Sequence, residues 1–232
     1  MDPRDWLCTL LAPSYCMFCD RPVPEFRNGT VCHDCWDSLE PMKPACSRCG
    51  QHYASGPCSE CAQCLPLVYL DFARSFGLYR NELGRILRQY KYRADQSLAP
   101  GLVRLLELAF RQNFSSLDWD VLAIVPTHAA RVRDRGFDHL RLLSRLLSGR
   151  IAVPARRILS KRLASRPQAG LTEKQRRRNV RRSFALRGSV EGGRILLLDD
   201  ILTTGATANE CARVLKRGGA SRVGVLTVAR AP

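Results

Sequence analysis

From Val68 onward, unbroken apolar runs alternate with stretches whose apolar residues recur at helical spacing. Ala73 to Tyr79 reads as a strand. Leu83, Ile86, Leu87 and Tyr90 then fall at i, i+3, i+4 and i+7, one face of an amphipathic helix that ends in the basic Lys91-Tyr92-Arg93. Leu98, Leu102, Leu105 or Leu106, and Ala109 repeat that spacing. Val121 to Val125, closed by Pro126, is a second strand, and Phe137, Leu140, Leu143 and Leu147 predict a helix with an inward face. Ile158 and Leu159 suggest a brief strand, and Ser183 to Leu186 leads back toward the core. Ile195 to Leu198 is a third full strand. A helix carrying Cys211, Val214 and Leu215 on one face follows it and stops at Gly218-Gly219, and Val223 to Val228 is the last strand. Apolar runs without polar alternation belong to strands buried on both faces of a parallel sheet. Strands that alternate with helices in this way predict an α/β fold, a doubly wound and mostly parallel sheet.

The first part of the chain has another texture. Trp6, Leu7, Leu10 and Leu11 have the spacing of a short docking helix over Met1 to Leu11. Ten of the eleven cysteines then lie between Cys8 and Cys64, with only Cys211 beyond. Cys16 and Cys19, Cys32 and Cys35, Cys46 and Cys49, and Cys58 and Cys61 each form a C-x-x-C knuckle, and two knuckles complete a tetrahedral zinc site. Sequential pairing gives Cys16, Cys19, Cys32 and Cys35 to one ion and Cys46, Cys49, Cys58 and Cys61 to the other. An interleaved pairing has the same spacing, and Cys64, His33 or His52 can stand in for a ligand. The intervening residues are too rich in Pro, Gly and Ser to build a core of their own, so the expected role of Zn2+, one ion or two, is structural. The expected division is a zinc-binding module at 1–67 and an α/β domain at 68–232.

Compartment and charge narrow the function. No apolar run approaches the roughly 18 residues needed to span a bilayer. The first fifteen residues hold Asp2, Asp5 and Pro13 where a signal peptide has its apolar core. A cytoplasmic protein with no membrane insertion is expected, and there metal is the natural reading of clustered thiols. The formal charge of +16 is concentrated: between Arg131 and Arg187 stand eighteen Lys and Arg against three acidic residues, while the rest of the chain is nearly balanced. That segment suits a polyphosphate or a nucleic-acid backbone, or it is a solvated basic surface.

The densest chemistry lies at Arg194 to Thr207, R-I-L-L-L-D-D-I-L-T-T-G-A-T. A buried strand ends in Asp199 and Asp200, and Thr203, Thr204, Gly205, Ala206 and Thr207 lead into a helix. Free backbone N–H groups, hydroxyls and the positive end of a helix dipole suit a phosphate. Two acceptor-only carboxylates suit the hydroxyls of a ribose. After the strand at Val121, Thr127-His128 and then Arg131, Arg133 and Arg135 occupy a loop where a doubly wound sheet places ligand groups. Those arginines are candidate pyrophosphate contacts, against the competing reading of solvent-facing charge. Ser165 to Thr172 has the composition of a mobile loop, with Thr172 capping a basic helix over Glu173 to Val180. Such a loop can close over a bound anion.

The order of these blocks resembles the ComF family of competence-associated, phosphoribosyltransferase-like proteins. The blocks are a four-knuckle cysteine module, V-P-T-H followed by R-x-R-x-R-G-F, R-P-Q-A-G-L-T-x-x-x-R-x-x-N-V, and L-L-D-D-I-L-T-T-G-A-T. The resemblance implies a type I phosphoribosyltransferase core and a link to DNA uptake or reuse. It gives Asp199 and Asp200 the ribose hydroxyls of phosphoribosyl pyrophosphate (PRPP), directly or through a Mg2+-bound water, and Thr203 to Thr207 the 5-phosphate. One departure stands out: the family continues R-G-F with Asn-Gln, whereas this chain has Asp138-His139. Two functions follow as expectations. One is Mg2+-dependent transfer of phosphoribose from PRPP to a nitrogenous acceptor, for uptake or for nucleotide salvage. The other is a non-catalytic, PRPP-responsive accessory that binds single-stranded DNA beside a DNA-uptake motor protein.

Overall fold

A computed structural model of the chain describes residues 14–23, 30–43, 46–51, 57–62, 64–162 and 183–232. The expected helix at Met1 to Leu11, His52, the loop from Ser165 and the basic helix at Glu173 to Val180 lie outside these residues. Among the described residues the strands are β1 (Phe72–Leu78), β2 (Val121–Ile124), β3 (Ala155–Arg156), β4 (Leu159–Lys161), β5 (Phe184–Leu186), β6 (Arg194–Leu202) and β7 (Arg222–Arg230). The α-helices are α1 (His33–Asp37), α2 (Asn81–Tyr92), α3 (Ala99–Asn113), α4 (Ala129–Arg135), α5 (His139–Ile151) and α6 (Ala206–Arg217).

Five strands form one sheet in the order β1-β7-β6-β2-β3, every neighbouring pair parallel. Its centre is aliphatic because both faces are covered: Leu196, Leu197, Leu198, Val225 and Leu226 are fully buried. The connections from β1 to β2 and from β2 to β3 step one way along the sheet, and that from β6 to β7 steps the other way. Right-handed crossovers then put α3 and α5 on one face and α6 on the opposite face, and α3 packs directly on α5. The change of direction falls between the adjacent strands β2 and β6, and in such sheets ligands sit at the carboxyl ends of the strands at that point. β4 and β5 form a separate antiparallel ladder packed against α6.

The cysteine-rich segment is packed onto this body. Trp36 of α1 lies flat on Gly101 of α3, where a Cβ would collide with the indole ring, so only glycine permits the approach. Arg85 of α2 stacks on Phe18 with its guanidinium 4.8 Å from the ring centroid. Val31, Trp36, Cys46, Cys49, Cys61, Cys64 and Leu67 join the same apolar cluster as the sheet. No helix among the described residues is long and apolar enough to cross a membrane.

Candidate functional site

A cleft of about 230 Å3 opens where the topology places it, at the ends of β2 and β6. Val125, Pro126, Thr127 and His128 follow β2 into one wall. Asp199 to Leu202 at the end of β6, and Thr203, Gly205 and Thr207 after it, form the other. β6 does not stop at the acidic pair, as the sequence suggests. Its pairing with β7 continues through Asp199 opposite Thr227 to Leu202 opposite Arg230, so the carboxylates are held inside a regular strand. Gly205 then turns left-handed at φ 73° and starts α6, and the Thr204 hydroxyl accepts a hydrogen bond from the Ala206 N–H. The result is a short loop with Thr203 exposed at the start of a three-turn helix, suited to an anion.

The two carboxylates occupy different environments. Asp200 is buried, and its Oδ2 meets the Lys91 ammonium from the end of α2 and lies 2.7 Å from Nε2 of His139 at the start of α5. Burial works against its charge, but Lys91 and His139 outweigh it and hold the carboxyl well below the usual range. Burial alone would also lower Lys91, yet the charge of Asp200 keeps its amine raised. Burial, and then the charge of Asp200, push the Asp199 carboxyl up to about 8, and it is the member of the pair left partly open to the cleft. Lys91 also draws Asp199 toward its charged form, but less strongly than burial and Asp200 oppose it.

The basic wall is a helix where the sequence predicts a loop. α4 is capped by His128, whose Nδ1 accepts from the Ala130 N–H at 3.2 Å. Helical geometry brings Arg131 and Arg135 together at i and i+4, and both line the cleft. Arg133, two positions on, is exposed and does not line the cleft. Lys161 completes the basic wall at the end of β4, set over the Phe184 ring at 5.5 Å. Burial, and then the charge of Arg131, lower its amine.

Asp138 and His139, where the chain departs from the family pattern, have defined places. Asp138 caps α5, its Oδ1 accepting from the Arg141 N–H at 3.1 Å. His139 bridges Asp200 to Arg135, whose Nη1 is 2.6 Å from His139 Nδ1. Lys91, His139 and Lys161 were not assigned from sequence. The departure from Asn-Gln at Asp138-His139 was the one local signal for His139, and the basic end of the Leu83–Tyr90 helix was the signal for Lys91.

The thiols gather into two groups: Cys16, Cys19, Cys32 and Cys35, and Cys46, Cys49, Cys61 and Cys64. Within each, the Sγ atoms lie within 4.8 Å of one another. Cys19 and Cys32 are 3.6 Å apart, Cys46 and Cys64 3.7 Å, and Cys49 and Cys61 3.5 Å. A tetrahedron with a metal–sulfur bond of about 2.3 Å has an edge of about 3.8 Å, so both donor sets fit structural zinc. The first group is the sequential pairing, and His33 is outside it, bound to Asp37 at 2.6 Å. In the second group Cys64 stands where the sequential pairing has Cys58, the substitution by Cys64 that the spacing left open. The knuckles are marked by N–H···S bonds from Cys49 N to Cys46 Sγ and from Cys61 N to Cys64 Sγ. Cys58 instead lies alongside Cys46 in a backbone bridge, with its carbonyl accepting from the Ser47 N–H at 2.8 Å.

Comparison with known proteins agrees with this division of chemistry. A phosphoribosyl transferase domain matches residues 143–232, and a double zinc ribbon domain matches residues 7–65. Competence protein F of Haemophilus influenzae is 29% identical over 226 residues, 93% of this chain and 96% of its own length. The DNA utilization protein YhgH of Escherichia coli O157:H7 is 28% identical over 232 residues, 95% of this chain and 99% of its own. Competence protein ComFC of Bacillus subtilis is 27% identical over 210 residues, 86% and 84% of the two chains. A zinc ribbon pair and a phosphoribosyl transferase domain joined in one chain, with relatives matched along most of their lengths, are the arrangement that the resemblance to the ComF family implies.

Proposed function

We propose that the cleft between β2 and β6 binds PRPP and that the protein transfers its phosphoribosyl group to a nitrogenous acceptor during the uptake or use of DNA. One observation carries this reading. The acidic pair and the Thr203–Thr207 loop face Arg131 and Arg135 across a single cleft, so one wall suits a ribose 5-phosphate and the other a pyrophosphate. Residues 1–67 are the zinc module in this reading and 68–232 the phosphoribosyltransferase-like domain, acting in the cytoplasm where thiols stay reduced.

In the transfer, the bond from ribose C1 to the pyrophosphate oxygen breaks and a bond from C1 to the acceptor nitrogen forms. The pyrophosphate departs with the electron pair, and the nitrogen's proton passes to solvent. Positive charge develops on the ring, which Asp199 would oppose in its ionised form, favoured over the protonated form of the free protein when Mg2+ is beside it, while Arg131, Arg135 and Lys161 oppose the charge on the leaving group. Mg2+ bound with PRPP would add charge neutralisation at the pyrophosphate. Asp200 is committed to Lys91 and His139, so Asp199 is the carboxylate available to such an ion. One carboxylate suits a cation held chiefly by substrate oxygens and water.

The test is calorimetric titration with PRPP and Mg2+, followed by incubation with a panel of bases and amines. Binding with PRPP consumption is expected, and no binding sinks the proposal. Binding without consumption selects the second reading, a PRPP-responsive accessory that binds single-stranded DNA beside a motor protein of DNA uptake. The observation favouring that alternative is the exposure of Arg141, Arg145, Arg156 and Arg157, none of which lines the cleft. It predicts DNA binding that weakens steeply with salt.

A further inference from the structure

The second cysteine cluster meets the phosphate loop at both of its ends. On the helix side, Leu67 follows the Cys61–Cys64 knuckle, and its N–H donates to the Cys64 carbonyl at 2.8 Å. Leu67 is buried against Gly205, where a Cβ would stand 2.7 Å from the leucine Cδ1. Two residues on, the Tyr69 N–H donates to Asn209 Oδ1 at 3.0 Å, and the Asn209 N–H donates to the Gly205 carbonyl at 2.8 Å. Arg48, inside the Cys46–Cys49 knuckle, fixes this segment by donating to the carbonyls of Leu67 at 2.6 Å and Leu70 at 3.3 Å.

On the strand side, Arg230 ends β7 directly opposite Leu202, the last residue of β6 before the loop. Its guanidinium donates to Gln51 Oε1 and to the Cys49 carbonyl at 2.8 Å, and a third N–H is aimed at Cys49 Sγ, 3.7 Å away. Arg230 is 2% exposed, and no carboxylate pairs with it among the described residues. A buried guanidinium needs a counter-charge. Four thiolates around Zn2+ carry a net charge of −2, which places that counter-charge beside Arg230 when the metal is bound. The first cluster has different neighbours: Arg85 of α2 donates to the Met17 carbonyl at 3.1 Å, and Thr30 donates to Asp95 at 3.3 Å.

We propose that the Cys46, Cys49, Cys61 and Cys64 cluster, loaded with zinc, clamps the Thr203–Thr207 loop in its anion-binding geometry. Leu67, Asn209 and Arg230 are its positioning residues, and the first cluster has no such role. A loop held in place before the ligand arrives loses less conformational freedom on binding. The clamp itself is independent of what the cleft binds, and only its ligand arm rests on the PRPP reading.

The experiment compares full-length wild type with Asn209→Ala, Leu67→Ala, Cys61→Ser and, as the first-cluster control, Cys19→Ser. Zinc content is measured on each, together with hydrogen exchange of the amides at 203–208. Asn209→Ala and Leu67→Ala are expected to keep wild-type zinc yet exchange these amides about tenfold faster, with β2 unchanged. Cys61→Ser is expected to lose one zinc and expose the loop, whereas Cys19→Ser loses one zinc and leaves loop exchange within about twofold of wild type. A second arm titrates PRPP, with affinity about tenfold weaker in the first three variants. Unchanged loop exchange in Asn209→Ala and Leu67→Ala, or equal acceleration in Cys19→Ser, overturns the clamp. Where Leu67→Ala or Cys61→Ser does not fold, Asn209→Ala decides. A wild type that binds no PRPP defeats the functional reading, while the exchange arm still judges the clamp.

Discussion

His139 Nε2 lies 2.7 Å from Asp200 Oδ2, and the opposite ring nitrogen of the same residue lies 2.6 Å from Arg135 Nη1. Arginine can only donate, so Nδ1 carries the lone pair, and Nε2 carries the hydrogen and donates to the carboxylate. The glutamine of the family pattern offers the same pair of functions in its amide. His139→Gln is therefore expected to change urea stability by no more than about 1 kcal/mol. His139→Leu, which leaves Asp200 and Arg135 each short of a partner, should cost about 2–3 kcal/mol. If the glutamine variant is as unstable as the leucine variant, the bridge is not a matter of donor and acceptor.

The acidic pair should come apart under mutation. Asp200→Asn removes the counter-charge of Lys91, whose side chain is only 16% exposed, and breaking such a pair costs about 3–5 kcal/mol. Asp199→Asn removes a group whose raised carboxyl costs stability at neutral pH, so this variant should be no less stable than wild type while weakening PRPP binding about tenfold. Denaturant unfolding of the two single variants checks the first contrast, and calorimetry on Asp199→Asn checks the second. Equal destabilisation would contradict the division of roles.

The raised carboxyl of Asp199 has a signature in pH. An unfolded aspartate releases its proton near 3.8, whereas burial and the charge of Asp200 keep the folded group protonated up to about 8. Across that window the folded protein holds the extra proton, so Asp199 takes away stability as pH rises and no more is lost above 8. Asparagine lacks the proton altogether. The melting temperature of Asp199→Asn minus that of wild type should thus grow between about pH 5 and pH 8 and then level off. A difference that shrinks with rising pH would mean the group is not desolvated as its surroundings require.

The sheet was legible because its central strands are buried on both faces, so β2, β6 and β7 stand out as aliphatic runs within a few residues of their ends. α4 was not, since none of its residues is buried and no apolar period exists to read. β3 is two residues long with both side chains exposed. The acidic pair and its loop were local and therefore readable. Their partners were not: His139 and Asp200 are 61 residues apart and meet only because α5 and β6 pack together. The overlapping spacing Cys58-x-x-Cys61-x-x-Cys64 left two knuckles possible, and only the backbone hydrogen bonds decide between them.

The basic wall makes a discriminating triplet. Arg131 and Arg135 share the cleft face of α4, and Arg133 stands on the other side of the same helix. Replacing Arg131 or Arg135 by alanine should weaken PRPP binding by about 1.5–3 kcal/mol, the worth of a hydrogen bond to a charged group. Arg133→Ala should change it by less than about 0.5 kcal/mol. Titrations at one salt concentration separate these outcomes. A loss in Arg133→Ala as large as in its neighbours would show that total charge matters and geometry does not.

The choice between Cys58 and Cys64 is open to direct measurement. Cys64 is fully buried with its sulfur 3.7 Å from that of Cys46, and it receives the Cys61 N–H, the bond that stabilises a metal-bound thiolate. Cys58 is half-buried and stands outside the four-sulfur group, with its carbonyl bonded to Ser47. Cys58→Ser should therefore retain about two zinc ions per chain, and Cys64→Ser about one. The lost ion should matter beyond its stoichiometry, because Leu67 leaves the Cys61–Cys64 knuckle directly onto Gly205. Removing a structural metal from so small a ribbon unfolds it locally, and Cys64→Ser should melt at lower temperature than Cys58→Ser. Should Cys58→Ser be the variant that loses zinc, the second site closes through the sequential knuckles after all, and Cys64 is a buried thiol with no metal to hold.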